Sequence, residues 1–153
     1  MKLSAQDLKE IVTLTLEHYN QRAEEFWTGT RDHDVSQNIA AMLQYIEGEP
    51  RFTILDFGCG PGRDLKVVAE LGHIAVGLEG AAHFADMARA YSGCEVWQQD
   101  FLKLDLPEEL FRWCIRQRRA VSCTQPGVAA RVVGTARKSK TGWCAVQLQP
   151  ARP

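Results

Sequence analysis

After residue 111 the chain contains no aspartate and no glutamate, although 19 acidic residues lie before that point. Nine of the 18 lysines and arginines fall in 112–153, so the formal net charge of -1 conceals about -10 on the first 111 residues and +9 on the remainder. Such a division excludes a surface of evenly mixed charge and suggests either a basic arm for nucleic acid or membrane, or a segment of different origin. Cysteine is sparse and unpaired. Cys59, Cys94, Cys114, Cys123 and Cys144 form no C-x-x-C pair and are odd in number, which argues against a secreted disulfide framework and against structural zinc. Long apolar runs are also missing. No stretch approaches the roughly 18 apolar residues of a membrane span, and Met1 to Asp7 lacks the apolar core of a signal peptide. The reading is a cytosolic protein with no membrane partner.

What is present is ordinary for a globular domain: 153 residues, 45% apolar and 24% charged, enough for one hydrophobic core. Leu8, Ile11, Val12, Leu14, Leu16, Tyr19, Ala23 and Phe26 fit helical spacing and predict one or two amphipathic helices over 5–27, capped by Ser4 and broken near Gly29. A second helical block runs from Val35 to Ile46 and stops at Gly48-Glu49-Pro50. From Phe52 the period changes. Phe52 to Asp56 reads as a strand, Asp64 to Leu71 as a helix, Ile74 to Glu79 as a strand, Ala81 to Tyr91 as a helix and Cys94 to Asp100 as a third strand. Strands alternating with helices through short joints predict an α/β, Rossmann-like, doubly wound parallel sheet.

The sharpest motif is Asp56-Phe57-Gly58-Cys59-Gly60-Pro61-Gly62, three glycines between a strand and a helix. Glycine accepts positive φ and leaves room for a ligand close to the backbone, and the helix N-terminus offers free N–H groups to an anion. A tight turn with no ligand is the plain alternative. A dinucleotide fingerprint, G-x-G-x-x-G/A, begins at the same place but meets Arg63 where its last small residue belongs. Glu79 closes the second strand, where an acid accepts hydrogen bonds from ribose hydroxyls, or is simply solvated.

The run Leu55-Asp56-Phe57-Gly58-Cys59-Gly60-Pro61-Gly62 resembles motif I of the class I S-adenosylmethionine-dependent methyltransferases, and the resemblance covers residues 1–111. It implies that S-adenosylmethionine lies across three strand ends. Asp56, Gly58, Cys59, Gly60 and Gly62 would serve it at the first, Glu79 and Gly80 at the second, and Asp100 and Phe101, beside adenine, at the third. The segment from Tyr19 to Trp27 is similar to the helix that folds over the cofactor in small-molecule methyltransferases. Tyr19, Trp27 and Arg31 are candidates there, with an aromatic stripe of the core as the alternative. Methyl transfer from a sulfonium demands alignment more than a particular nucleophile, so neither a catalytic residue nor a metal is named. The acceptor is unidentified. His33, His73 and His83 read as surface residues, and Asp32 with Asp34 as a solvated turn.

The family would continue after Phe111 with a fourth strand of the form Phe-Asp-x-Val and, later, Lys-Pro-Gly-Gly before a fifth. Neither is present, but both return if the codons are read one nucleotide later. Arg112-Trp113-Cys114-Ile115-Arg116 then permits Asp-Gly-Val-Phe, and Lys140-Thr141-Gly142-Trp143-Cys144-Ala145-Val146-Gln147 permits Lys-Pro-Gly-Gly-Val-Leu-Phe. In each string the glycine read across Trp-Cys is forced. A shifted frame in GC-rich DNA also explains basic residues without acids. The expectation is therefore three units: an N-terminal helical cap at 1–50, the first half of a methyltransferase domain at 51–111 and a non-homologous tail at 112–153. The tail is expected to be irregular and poorly packed, leaving the sheet incomplete, the third strand with an open edge and one sheet face uncovered. Activity of such a truncated chain is in doubt. The functional alternative for the tail is a nucleic-acid-binding arm, weakened by scattered charges and by having Trp113 and Trp143 as its only aromatics.

Overall fold

The computed structural model describes residues 4–44, 51–106, 113–117, 136–138 and 143–147. Helix α1 (Ala5–Gln21) opens with a reciprocal cap: the Asp7 N–H donates to Ser4 Oγ at 3.1 Å and the Ser4 N–H to Asp7 Oδ2 at 2.8 Å. Its break falls at Arg22, between α1 and α2 (Ala23–Thr30), and not near Gly29. Gly29 lies within the last turn of α2, where a glycine weakens a helix without ending it. The Asp34 carboxylate accepts from both the N–H and the hydroxyl of Ser36, starting α3 (Ser36–Leu43), so this acid belongs to a turn as expected. The rest of the second helical block, from residue 45, lies outside the described residues.

The α/β core follows the predicted order. Strand β1 (Thr53–Phe57), helix α4 (Arg63–Glu70), strand β2 (Ile74–Glu79), helix α5 (Ala82–Ser92) and strand β3 (Glu95–Gln98) form two crossover units, with β1–β2 and β2–β3 both parallel. Period-two alternation assigns the faces. Ile54 packs with Leu65 and Val68 of α4 and with Ala85 and Ala88 of α5, while Leu55, Phe57, Val76 and Leu78 point to the opposite face. Among the described residues that second face is covered by Trp97, Phe101, Leu104 and Leu106, supplied by β3 and the segment after it.

Two expectations need correction. Three segments of the tail are ordered as strands β4 (Trp113–Gln117), β5 (Ala136–Lys138) and β6 (Trp143–Gln147), giving a six-stranded sheet of order β3-β2-β1-β4-β6-β5. The tail is thus not irregular throughout, because backbone pairing asks little of side-chain pattern. The open edge does lie on the third strand, as expected, but the reason given for it, the loss of later strands, needs correction. β3 ends the sheet because each crossover adds its strand outward from β1, and the strand whose second neighbour comes from the tail is β1, through Ile54↔Trp113 to Asp56↔Ile115. β4 is parallel to β1, whereas β6 runs antiparallel to β4. Among the described residues no helix is long and apolar enough to cross a membrane.

Candidate functional site

Where β1 ends, the chain turns under the end of β2. The N–H groups of Gly58 and Cys59 both donate to the Leu78 carbonyl, at 2.8 and 3.2 Å, which fixes the loop across the neighbouring strand. Gly60 then adopts φ +53° with nothing within 4 Å of where a Cβ would stand, and Gly58, at φ +74°, is equally open. Gly62 differs in kind. Its Cβ would meet the Ala88 backbone at 2.8 Å, so this glycine lets α5 approach the start of α4. Gly58 and Gly60 therefore leave the space a ligand requires, whereas Gly62 is occupied in helix packing.

Glu79 is the electrostatic centre of the site. Its Oε2 accepts the Gly60 N–H at 2.8 Å, and its Oε1 accepts the N–H groups of Gly80 at 2.8 Å and Ala81 at 3.0 Å. Burial raises its pKa above the ordinary glutamate value, opposed by those three hydrogen bonds. A carboxylate has about four lone-pair sites, so one remains for an incoming hydroxyl. The bond from Gly60 to Glu79 joins the first strand end to the second. The Gln99 N–H donates to the Glu79 carbonyl at 3.0 Å and joins the third.

The other predicted residues divide clearly. Asp56 is buried directly before the loop, with Oδ2 lacking a hydrogen-bond partner among the described residues. The Cys59 side chain is buried, its Sγ lying 2.7 Å from where a Gly77 Cβ would be, so only its backbone faces the loop surface. Burial, followed by the charge of Asp56, pushes its thiol pKa far up and leaves it inert. Asp100 is exposed at the end of β3 and accepts the Leu102 N–H through Oδ1, while the Phe101 ring stacks on Phe57 at 4.9 Å. Gly80 lies beside both Leu16 of α1 and the Phe101 ring.

Tyr19, Trp27 and Arg31 are not brought to the glycine loop by their described contacts. Tyr19 packs on Phe84 and Trp27 on Tyr91, both residues of α5, although Tyr19 and Tyr91 are themselves exposed. Arg31 pairs with Asp32 at 3.5 Å and lines an outer groove of roughly 290 Å³ with Arg63, Lys66 and Tyr91. Two of the histidines are more than surface residues. Nδ1 of His73 accepts the Phe52 N–H as its ring stacks on Phe52, and His83 contacts Asn20 and Glu24 across the α1–α2 junction.

Sequence reasoning overlooked Arg63 and Asp64. Arg63 donates through Nε to Asp64 Oδ1 at 2.9 Å and through Nη1 to the Thr30 carbonyl at 3.2 Å, tying the end of α2 to the start of α4. The available signal was a Gly-Arg-Asp run opening a helix, where a carboxylate suits the helix N-terminus. Among the described residues no group of three or more His, Cys, Asp and Glu side chains is arranged to hold a metal ion.

No protein-family model matches the chain, and no curated protein matches it. Solved structures do. A TehB-like S-adenosylmethionine-dependent methyltransferase from Corynebacterium glutamicum aligns over 90% of this chain and 100% of its own, with TM-score 0.55 and 16% identity. The fold is that of the S-adenosylmethionine-dependent methyltransferases. Phosphoethanolamine N-methyltransferase 1 of Haemonchus contortus, solved with phosphoethanolamine and S-adenosylhomocysteine, aligns over 69% of this chain with TM-score 0.52 and 18% identity. The chain spans 24% of that enzyme's length, and 42% of a Haloferax volcanii protein solved with a methyltransferase activator, at TM-score 0.48 and 24% identity. The dinucleotide and nucleic-acid readings gain no support from these likenesses.

Proposed function

We propose that residues 51–111 form the cofactor-binding half of an S-adenosylmethionine-dependent methyltransferase, with 1–50 as a helical cap and the methyl acceptor a small molecule or other substrate not yet identified. The observation that carries this reading is the open, positive-φ backbone at Gly58 and Gly60, bonded through the Gly60 N–H to the acid that ends the next strand. These residues fit the cofactor. The cradle would be filled by any Cβ, and Glu79 retains acceptor capacity for a ribose hydroxyl. When bound, S-adenosylmethionine supplies an electrophilic methyl group. The chain's own part is alignment: Gly58 and Gly60 would admit the methionine portion against the backbone, Glu79 would orient the ribose, and Asp100 with the Phe101 N–H would hold the adenine edge. Cys59 contributes its backbone and Gly62 the packing behind the loop. Calorimetric titration of the purified chain with S-adenosylmethionine should give micromolar binding that Glu79→Ala abolishes. Tight nicotinamide-dinucleotide binding in its place would refute the reading.

For 112–153 the shifted-frame origin remains our proposal. It is supported by the absence of acids, by the two motifs restored together, and by the point at which the sheet ceases to be parallel, between β4 and β6. In this fold the loops after the fourth and later strands help to build the acceptor pocket, so methyl transfer by this chain is expected to be weak or absent even where the cofactor binds.

A further inference from the structure

Strand β3 ends the sheet among the described residues, so one of its edges has no neighbouring strand. Which groups face that edge follows from the pairing with β2. The Gln99 N–H donates to the Glu79 carbonyl, and Glu79 stands in register with Gln98. Backbone groups alternate sides along a strand, so those of Glu95, Trp97 and Gln99 face β2, and those of Val96 and Gln98 face outward. One of the outward groups is already taken. The Val96 carbonyl accepts from Nε of Arg89 at 3.2 Å and from Nη2 at 2.7 Å, while Nη1 of the same guanidinium donates to Asp86 Oδ1 at 2.8 Å. Asp86 and Arg89 both belong to α5.

An open edge is a template for a further strand, and a charged side chain laid across it keeps strands off. Here the closure is specific, since one guanidinium uses all three nitrogens to stay over a single carbonyl. The strand beneath it is complementary to itself. If two copies of β3 met antiparallel about a two-fold axis through Trp97, Val96 of one copy would stand opposite Gln98 of the other, and each such pair would exchange both N–H···O bonds. Two of the four bonds so formed require the Val96 carbonyl that Arg89 holds. Trp97 would face its own counterpart at the closely spaced position, and Glu95 would face Gln99, not a second acid.

We propose that the outer edge of β3 is a pairing surface for a second copy of this chain, and that Arg89 keeps it closed by occupying the Val96 carbonyl. The contact is isologous, the same strand serving both copies, so pairing stops at a dimer and does not run on into a fibre. The guard is also releasable. The side chains of Arg89 and Asp86 are 42% and 75% exposed, so the guanidinium can swing into water without α5 unfolding. Gln98, which supplies the other outward-facing groups, is exposed as well.

The test is sedimentation velocity on the full chain across a concentration series. Arg89→Ala should form dimers at least about tenfold more tightly than the unaltered chain. Adding Gln98→Pro should return that variant to the behaviour of the unaltered chain, because the proline removes an N–H that faces the open edge and none that pairs with β2. Asp86→Ala, which frees Nη1 and leaves the two bonds to Val96, should shift association in the same direction by less. Should Arg89→Ala fail to fold, Asp86→Ala with and without Gln98→Pro carries the same comparison. Association that does not tighten when the guard is removed overturns the proposal. So does tighter association that Gln98→Pro leaves in place, since it then arises at another surface such as the β5 edge, and so do species larger than a dimer. None of these outcomes depends on whether the cofactor binds.

Discussion

The two halves of the sheet differ in strand direction and in composition. In β1–β3 every level agrees: apolar alternation, parallel register, crossover helices packed on Ile54, Leu65 and Val68, and a loop whose glycines each have a geometric reason. In β4–β6 the pairing is parallel at β1–β4 and antiparallel beyond it, in a segment without one acidic residue. Strand pairing satisfies N–H and C=O groups whatever the side chains are, so a sequence never selected for this sheet can still complete its hydrogen bonds. A site needs more than that. It needs particular groups at particular strand ends, and among the described residues Gly58, Gly60 and Glu79 of the first half are the groups so placed.

The largest effect on this contrast should come from the gene. Sequencing across the codons for Phe111 and Arg112 in independent isolates should reveal a frame difference, and the chain read in the restored frame should unfold in urea at a clearly higher concentration. A reproducible uninterrupted frame would erase the distinction between the halves. Next in size, Gly62→Val should destabilise the first half by about 3 kcal/mol in urea denaturation, through positive φ and collision with Ala88 together. Gly58→Ala, with open space around it, should cost only about 1 kcal/mol.

Smaller again is the pH dependence. Asp56 and Glu79 both have folded-state pKa values raised above their unfolded values, mainly by burial. The folded chain therefore binds more protons than the unfolded one between those limits. The stability this contributes is complete below the unfolded carboxylate range and is lost as pH rises through the folded values. The urea midpoint should fall on going from mildly acidic to neutral pH, and Asp56→Asn should flatten that decline, gaining about 1 kcal/mol at neutral pH. A midpoint that rises over the same interval would contradict the burial of these acids. Smallest, Ser4→Ala should cost about 1 kcal/mol or less by removing a cap at the free end of α1.

Much of the first half was legible because its signals are local. Ile74 to Glu79 was bounded correctly by its apolar run, and Ser4 was recognised as a cap by its place before the periodic stretch. The loop from Gly58 to Gly62 was found because three glycines at a strand-to-helix joint have few other uses. What escaped depends on partners far along the chain. Gly62 differs from Gly60 only because Ala88 lies against it, 26 residues later. That Tyr19 and Trp27 meet Phe84 and Tyr91 of α5 could not be read from their helical spacing. The tail strands were missed because their residues show no strand period and β4 finds its antiparallel partner only in the distant β6.

By itself the sequence determined the strand–helix alternation, the glycine loop, the acid at the end of the second strand and the abrupt change of composition at residue 111. Each is a matter of residue type and spacing within a few turns of chain. Only the tertiary structure decided that Asp56, Asp64 and Glu79 are all buried, with one Asp56 oxygen left without a donor among the described residues. No spacing rule contains that result, because the charge balance around a buried acid is set by which helix and which strand end are packed against it.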